Sequence, residues 1–148
     1  MSIPNDWQLV RIGHTFSFSL PPELAPDDVQ VLDSLFGQFS HDACSLYYDF
    51  GRFSDPLNSY AERATYQEEA VTIDGHRAKM VTVTASDEDA NLPYVAAVHF
   101  DRLEDEHRLT MHLRCTTEEA RNEYRNIFFQ VSFNRLPSAA KEYRANLF

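Results

Sequence analysis

Apolar and polar side chains alternate with a period of two in several stretches of the chain, and these stretches set the expected architecture. Phe16, Phe18 and Leu20 share one side of a strand over residues 15–20, with Thr15, Ser17 and Ser19 on the other, and Pro21-Pro22 ends it. Leu46, Tyr48 and Phe50 form the inward face of a second strand over residues 45–50, ended or bulged at Gly51. Asp74-Gly75 separates two β-rich runs, residues 65–73 and 76–85, and reads as a two-residue type I′ hairpin turn, which needs φ > 0 at both central positions. That turn sets Val71 opposite Ala78 and Ile73 opposite His76. Glu69 then falls opposite Met80, a mismatch that predicts a bulge or strand end.

Tyr94, Ala96, Val98 and Phe100 form one apolar face, and Leu109, Met111, Leu113 and Cys115 another. Antiparallel pairing of the two gives one register: Phe100 with Leu109, Val98 with Met111, Ala96 with Leu113, Tyr94 with Cys115. A slip by one residue would turn every one of them outward. Between these strands lies a charged loop, residues 101–108, and ahead of them an acidic loop, residues 86–92. Thr116-Thr117-Glu118-Glu119 has the form of a capping box with Thr116 as N-cap, opening a helix to about Phe129. Its apolar stripe is Ala120, Tyr124, Ile127, Phe128 and Val131.

The remaining segments are less regular. Residues 1–13 read as an N-terminal arm with Trp7, Leu9 and Val10 as anchors. Asp33-Ser34 and Gly37 interrupt any long element in residues 23–43, predicting an irregular connection with at most a helical turn. Residues 52–64 read as a surface loop. The domain therefore spans residues 14–133, and residues 134–148 form an extension, with a short helix from Ser138, that docks through Tyr143, Leu147 and Phe148. The fold class expected is α+β: a twisted antiparallel sheet of about six strands with helices packed on it.

Composition supports a single folded domain. A chain of 148 residues with eleven Phe, seven Tyr and one Trp has ample core material, and its four Gly and seven Pro argue against low complexity. The net charge of −10, from 13 basic and 23 acidic residues, repels phosphate backbones and anionic lipid. Nucleic acid and membrane insertion are poor partners for such a surface. A protein with a basic surface or a basic peptide suits it better, while the plainer reading is that the charge serves solubility. The N-terminus lacks a basic n-region and an apolar h-region, so the chain as written is cytoplasmic; it would be periplasmic if a signal had been removed.

Four pieces stand in order along the chain: Phe16-Ser17-Phe18-Ser19-Leu20-Pro21, Leu46-Tyr47-Tyr48-Asp49-Phe50-Gly51, Val71-Thr72-Ile73-Asp74-Gly75-His76-Arg77-Ala78 and Ile127-Phe128-Phe129-Gln130-Val131-Ser132-Phe133. Together they resemble the superfamily that contains the photosystem II extrinsic protein PsbP, the Ran-binding Mog factors and uncharacterised bacterial relatives. The resemblance implies the same layered α+β sheet. It also implies an accessory protein rather than an enzyme, one that docks on an assembly, on a small GTPase or, like the secretion-effector chaperones of the Eag type, on membrane segments of effectors. No binding residue of that superfamily maps onto a position of this chain.

Candidate chemistry is sparse. Motifs for a nucleophile elbow, a zinc protease helix or a phosphate loop are lacking in the sequence. Cys44 and Cys115 permit one bridge and demand none. Read apart, Cys115 is a buried inert thiol, whereas Cys44 beside His41 and Asp42 invites an activated thiolate, against the plainer reading of a loop at a strand entrance. His99 and His112 fall on the same face at a diagonal of about 7–8 Å. That spacing admits a shared Zn²⁺ but supplies only two of the three or four protein ligands such a site needs. No catalytic residue, metal or cofactor is assigned. The favoured site is a protein-binding patch of Tyr47, Asp49, Arg52, Phe53 and Tyr60, because large amphipathic aromatics with an arginine desolvate much area at small entropic cost. The alternative is a small-molecule or metal-binding cleft between sheet and helix.

Overall fold

The computed structural model describes residues 6–12, 16–26, 35–51, 56–57, 60–61, 63–84, 92–101, 103 and 107–133. Arg52, Phe53, the acidic loop over residues 86–91 and the C-terminal extension over 134–148 lie outside them. Among the described residues ten strands form two sheets. The smaller contains β1 (Gln8–Ile12), β2 (Phe16–Leu20) and β10 (Ser132–Phe133), in the order β1-β2-β10. The larger contains β3 (Ala25–Pro26), β4 (Leu35–Ser40), β5 (Cys44–Gly51), β6 (Gln67–Ile73), β7 (His76–Thr84), β8 (Tyr94–Phe100) and β9 (Arg108–Cys115), in the order β3-β4-β5-β9-β8-β7-β6. Every pairing is antiparallel. The class is α+β, with seven strands in the main sheet if the two-residue β3 is counted.

The register follows the alternation of side chains. Phe100↔Leu109, Val98↔Met111, Ala96↔Leu113 and Tyr94↔Cys115 are paired as the sequence pattern requires. Asp74 and Gly75 have φ of 50° and 80°, the left-handed values of a type I′ turn, and Val71↔Ala78 and Ile73↔His76 follow from it. Asp74 also accepts a 2.8 Å hydrogen bond from the Phe133 backbone N–H, so the hairpin tip holds β10 in place.

One face of the main sheet carries the core. Leu46, Tyr48, Met80, Ala96, Val98, Phe100, Leu109, Met111 and Leu113 point from it into a layer made by β1, β2, β10 and the helical segments. Phe16 and Phe18 of β2 meet Tyr48 with ring centroids 5.6 and 6.3 Å apart, and Phe133 closes on Phe100 at 5.1 Å. The helix α1 (Glu118–Tyr124) runs into a 3₁₀ segment, Arg125–Gln130, which buries Ile127 and Phe128.

Several expectations need correction. The stretch read as an arm contains β1, whose Val10 and Ile12 are buried against β2. Residues 35–40 form strand β4, where an irregular connection was expected. Gly37 had counted as a breaker, yet it pairs with Tyr48, and a Cβ there would lie 2.5 Å from that ring. Glycine serves here as the floor for an aromatic side chain. No bulge forms at Glu69↔Met80; the ladder continues to Gln67↔Thr82, since Glu69 sits on the outermost strand and reaches solvent while Met80 packs inside. The N-cap is Thr117, whose Oγ1 accepts from the Ala120 N–H at 3.1 Å, and the α-helix ends at Tyr124. Cys44 and Cys115 are Cα partners across β5 and β9 and form a disulfide, so neither an activated Cys44 thiolate nor a free Cys115 thiol exists in this state.

Candidate functional site

The other face of the main sheet follows from the register in three parallel rows. The first runs Ser40, Ser45, Arg114, Val95, Val83; the second Gln38, Tyr47, His112, Ala97, Val81, Glu68; the third Asp49, Thr110, His99, Lys79, Ala70. Towards β7 and β8 the first two rows are apolar while the third carries His99 and Lys79, and towards β4, β5 and β9 all three are polar and aromatic. A segment from the connection between β5 and β6 covers the apolar part. Leu57 and Tyr60 form a second hydrophobic cluster with Val81, Val83, Val95 and Ala97, and Tyr66 packs against it. Leu57 is wholly buried with φ 67°, a conformation unfavourable for a bulky L-residue, held by the packing of its side chain. The connection read as a surface loop is thus, at Leu57 and Tyr60, part of the core.

The five residues expected at the patch separate. Tyr47 and Asp49 are half-buried on this face. Tyr60 is 8% exposed, which corrects its reading as an outward anchor: its hydroxyl is hydrogen-bonded to His112 Nε2 and its ring lies 5.5 Å from the imidazole. Tyr47 flanks the same imidazole at 5.0 Å, so His112 is the contact shared by one half-buried and one buried tyrosine. Arg52 and Phe53 lie outside the described residues.

Burial dominates the electrostatics here. His112 is pushed down to about 3 by desolvation, with the Arg114 charge acting in the same direction, so its imidazole is neutral at ordinary pH. His99 is also lowered, again mainly by burial, with Asp101 opposing the shift. His99 Nδ1 lies 2.8 Å from Thr110 Oγ1, while its Nε2 has no hydrogen-bond partner among the described residues and faces Asp101 Oδ1 at 3.7 Å. Asp101 in turn lies 3.6 Å from Arg108 Nε. Because Tyr60 occupies Nε2 of His112, the two histidines do not present a ready pair of metal ligands. Groups of three or more ligating side chains are lacking among the described residues.

An open concavity of about 600 Å³ adjoins His99 at the β6 end of this face, bordered by Pro56, Glu68, Ala70, Lys79 and Asp101. Tyr66 donates a hydrogen bond to the Glu68 carboxylate at its rim, and burial together with that bond pushes the phenol up to about 12. This concavity was not anticipated. It depends on Pro56, from the distant connection between β5 and β6, lying beside β6, and a long-range placement of that kind leaves no local pattern in the sequence.

No family model matches the sequence, and no curated protein matches it. Among solved structures the chain is similar to cyanobacterial PsbP (CyanoP) from Synechocystis sp. PCC 6803, determined in solution. The two share 10% sequence identity, the match covers 90% of this chain and 98% of that one, and the TM-score is 0.59. The chain therefore has a PsbP-like fold. No helix among the described residues is long and apolar enough to cross a membrane.

Proposed function

We propose, from the premise of a PsbP-like fold, that the protein is a non-catalytic accessory protein. It engages another protein through the polar–aromatic half of the outer sheet face, around Tyr47 and Asp49, with Arg52 and Phe53 of the 51–64 stretch as further contacts. The observation that carries this reading is the placement of Tyr47. Its ring is half-buried and braced on the neutral His112 imidazole, at the border where cover by Leu57 and Tyr60 gives way to Gln38, Ser45 and Asp49. A tyrosine already held against a buried ring loses little side-chain freedom when a partner covers it, which is the property of an interface anchor. The net charge of −10 favours a partner with a basic surface.

The compartment belongs to the same proposal. A disulfide between central strands persists in oxidising surroundings, so the Cys44–Cys115 bridge favours the periplasmic alternative over the cytoplasmic one. The test of the binding surface is affinity capture of partners with wild type, Tyr47→Ala and Phe53→Ala. Loss of a specific partner in the variants, with melting temperature retained, supports the patch; unchanged capture removes it. The concavity beside His99 favours a second reading, a small-molecule site, which a thermal-shift screen tests because a ligand of the native state raises its melting temperature.

A further inference from the structure

The main sheet ends at β6, seven residues paired on one side by β7 and exposed along most of their length. In a two-residue hairpin the pair next to the turn exchanges both of its backbone hydrogen bonds, and bonded and non-bonded pairs then alternate. With Ile73↔His76 next to the turn, the backbone groups of Val71, Glu69 and Gln67 point inward to β7. Those of Thr72, Ala70 and Glu68 point outward, where no strand among the described residues meets them. Six N–H and C=O groups thus form a template for one more strand.

Three features suit this edge to a particular occupant. Both charges on β6 are negative, Glu68 and Glu69, and as successive strand residues they project to opposite faces. Two successive basic residues on an added strand would each meet one of them, and a second copy of β6 would meet like charge instead. The concavity opens beside this edge on the outer face, bordered by Glu68, Ala70 and Asp101. The buried His99 imidazole, 4% exposed, lines it with Nε2 unpartnered among the described residues. Nε2 faces the Asp101 carboxylate at 3.7 Å, so the recess offers a lysine or arginine side chain a carboxylate beside the imidazole. Lys79 and Arg77 also border the space, one strand further in, so the attraction lies at the rim and along the edge.

We propose that the β6 edge binds an extended basic segment of a partner protein, which adds as an eighth strand and lays one lysine or arginine side chain into the concavity beside His99. This site lies at the opposite end of the sheet from Tyr47 and does not depend on that patch being used. Recognition would divide as it does in strand addition generally, with backbone bonds giving affinity and a side-chain recess giving selectivity.

The experiment is fluorescence anisotropy of labelled synthetic peptides against the full chain. The probe is a β-prone peptide with two adjacent lysines, compared with its glutamate counterpart. The lysine peptide should bind and the glutamate peptide should not. Ala70→Pro removes an outward N–H without removing a ladder bond, and should weaken binding about tenfold or more. Glu68→Lys with Glu69→Lys should reverse the preference. Should Ala70→Pro fail to fold, N-methylation of alternate peptide amides replaces it: one set should abolish binding and the other leave it intact. Equal binding of both peptides, binding indifferent to N-methylation and to Ala70→Pro, or no binding of the lysine peptide would each overturn the proposal. Indifference to the backbone changes with dependence on Glu68 retained would identify the concavity as a site for a small cation instead.

Discussion

Reducing the Cys44–Cys115 bridge should destabilise the protein by about 4 kcal/mol. The cysteines are 71 residues apart in sequence, and closing a loop of that length removes chain entropy from the unfolded state worth about 4 kcal/mol at room temperature in the loop-closure model. The two residues are Cα partners in the β5–β9 ladder. Both are 0% exposed, so the reduced thiols would stay packed as small hydrophobic groups. For a chain of this size the loss corresponds to a fall in Tm of roughly 10 °C or more. The assay is urea unfolding of oxidised and reduced wild type, monitored by circular dichroism. The midpoint should fall on reduction and the m-value should rise, since an unbridged denatured chain exposes more surface. Equal midpoints, or titration of both cysteines as free thiols in protein denatured without reductant, would refute the reasoning.

The His112 imidazole should remain neutral in an NMR titration from pH 8 down to about pH 4.5, given its lowering to about 3; a midpoint near 6.5 would refute its burial beneath Tyr60. A lowered histidine makes the unfolded state bind the proton first, so stability should be full above about pH 6.5 and fall as pH drops towards about 3, by up to about 5 kcal/mol as an upper bound. Gly37→Ala should cost about 1–3 kcal/mol by forcing a methyl against Tyr48, and a stabilised variant in urea melts would contradict that packing. Thr117→Ala should cost about 1 kcal/mol while Thr116→Ala stays near neutral, and the reverse order would restore Thr116 as the cap.

Much of the fold was legible because local patterns and turn chemistry agreed. Asp74-Gly75 fixed one hairpin, and the alternation in residues 94–100 and 109–115 fixed the next. The same matching of faces, applied to Leu46, Tyr48 and Phe50 against Leu113, Met111 and Leu109, places Cys44 opposite Cys115. The signal for the disulfide therefore lies in the alternation of β5 and β9. Strand β4 was hidden because Gly37 looks like a breaker until Tyr48 is known to lie over it. At the helix start, two adjacent threonines offered two caps, and only backbone geometry separates them. The outer face was the least legible part. Its alternating His99, His112, Tyr47 and Asp49 read as a polar surface, but Leu57 and Tyr60 come from a distant connection to cover the apolar half. Tyr60 became core, the concavity appeared beside His99, and Tyr47 was left at the border between covered and open sheet.

This border is the proposed seat of a partner protein. Its most direct test is to place a photo-crosslinking amino acid at Tyr47 in the protein expressed in its own cells, and separately at Glu119, exposed on α1. A discrete heavier adduct is expected on irradiation from position 47 and not from position 119. Adducts from both positions alike, or from position 119 alone, would contradict it.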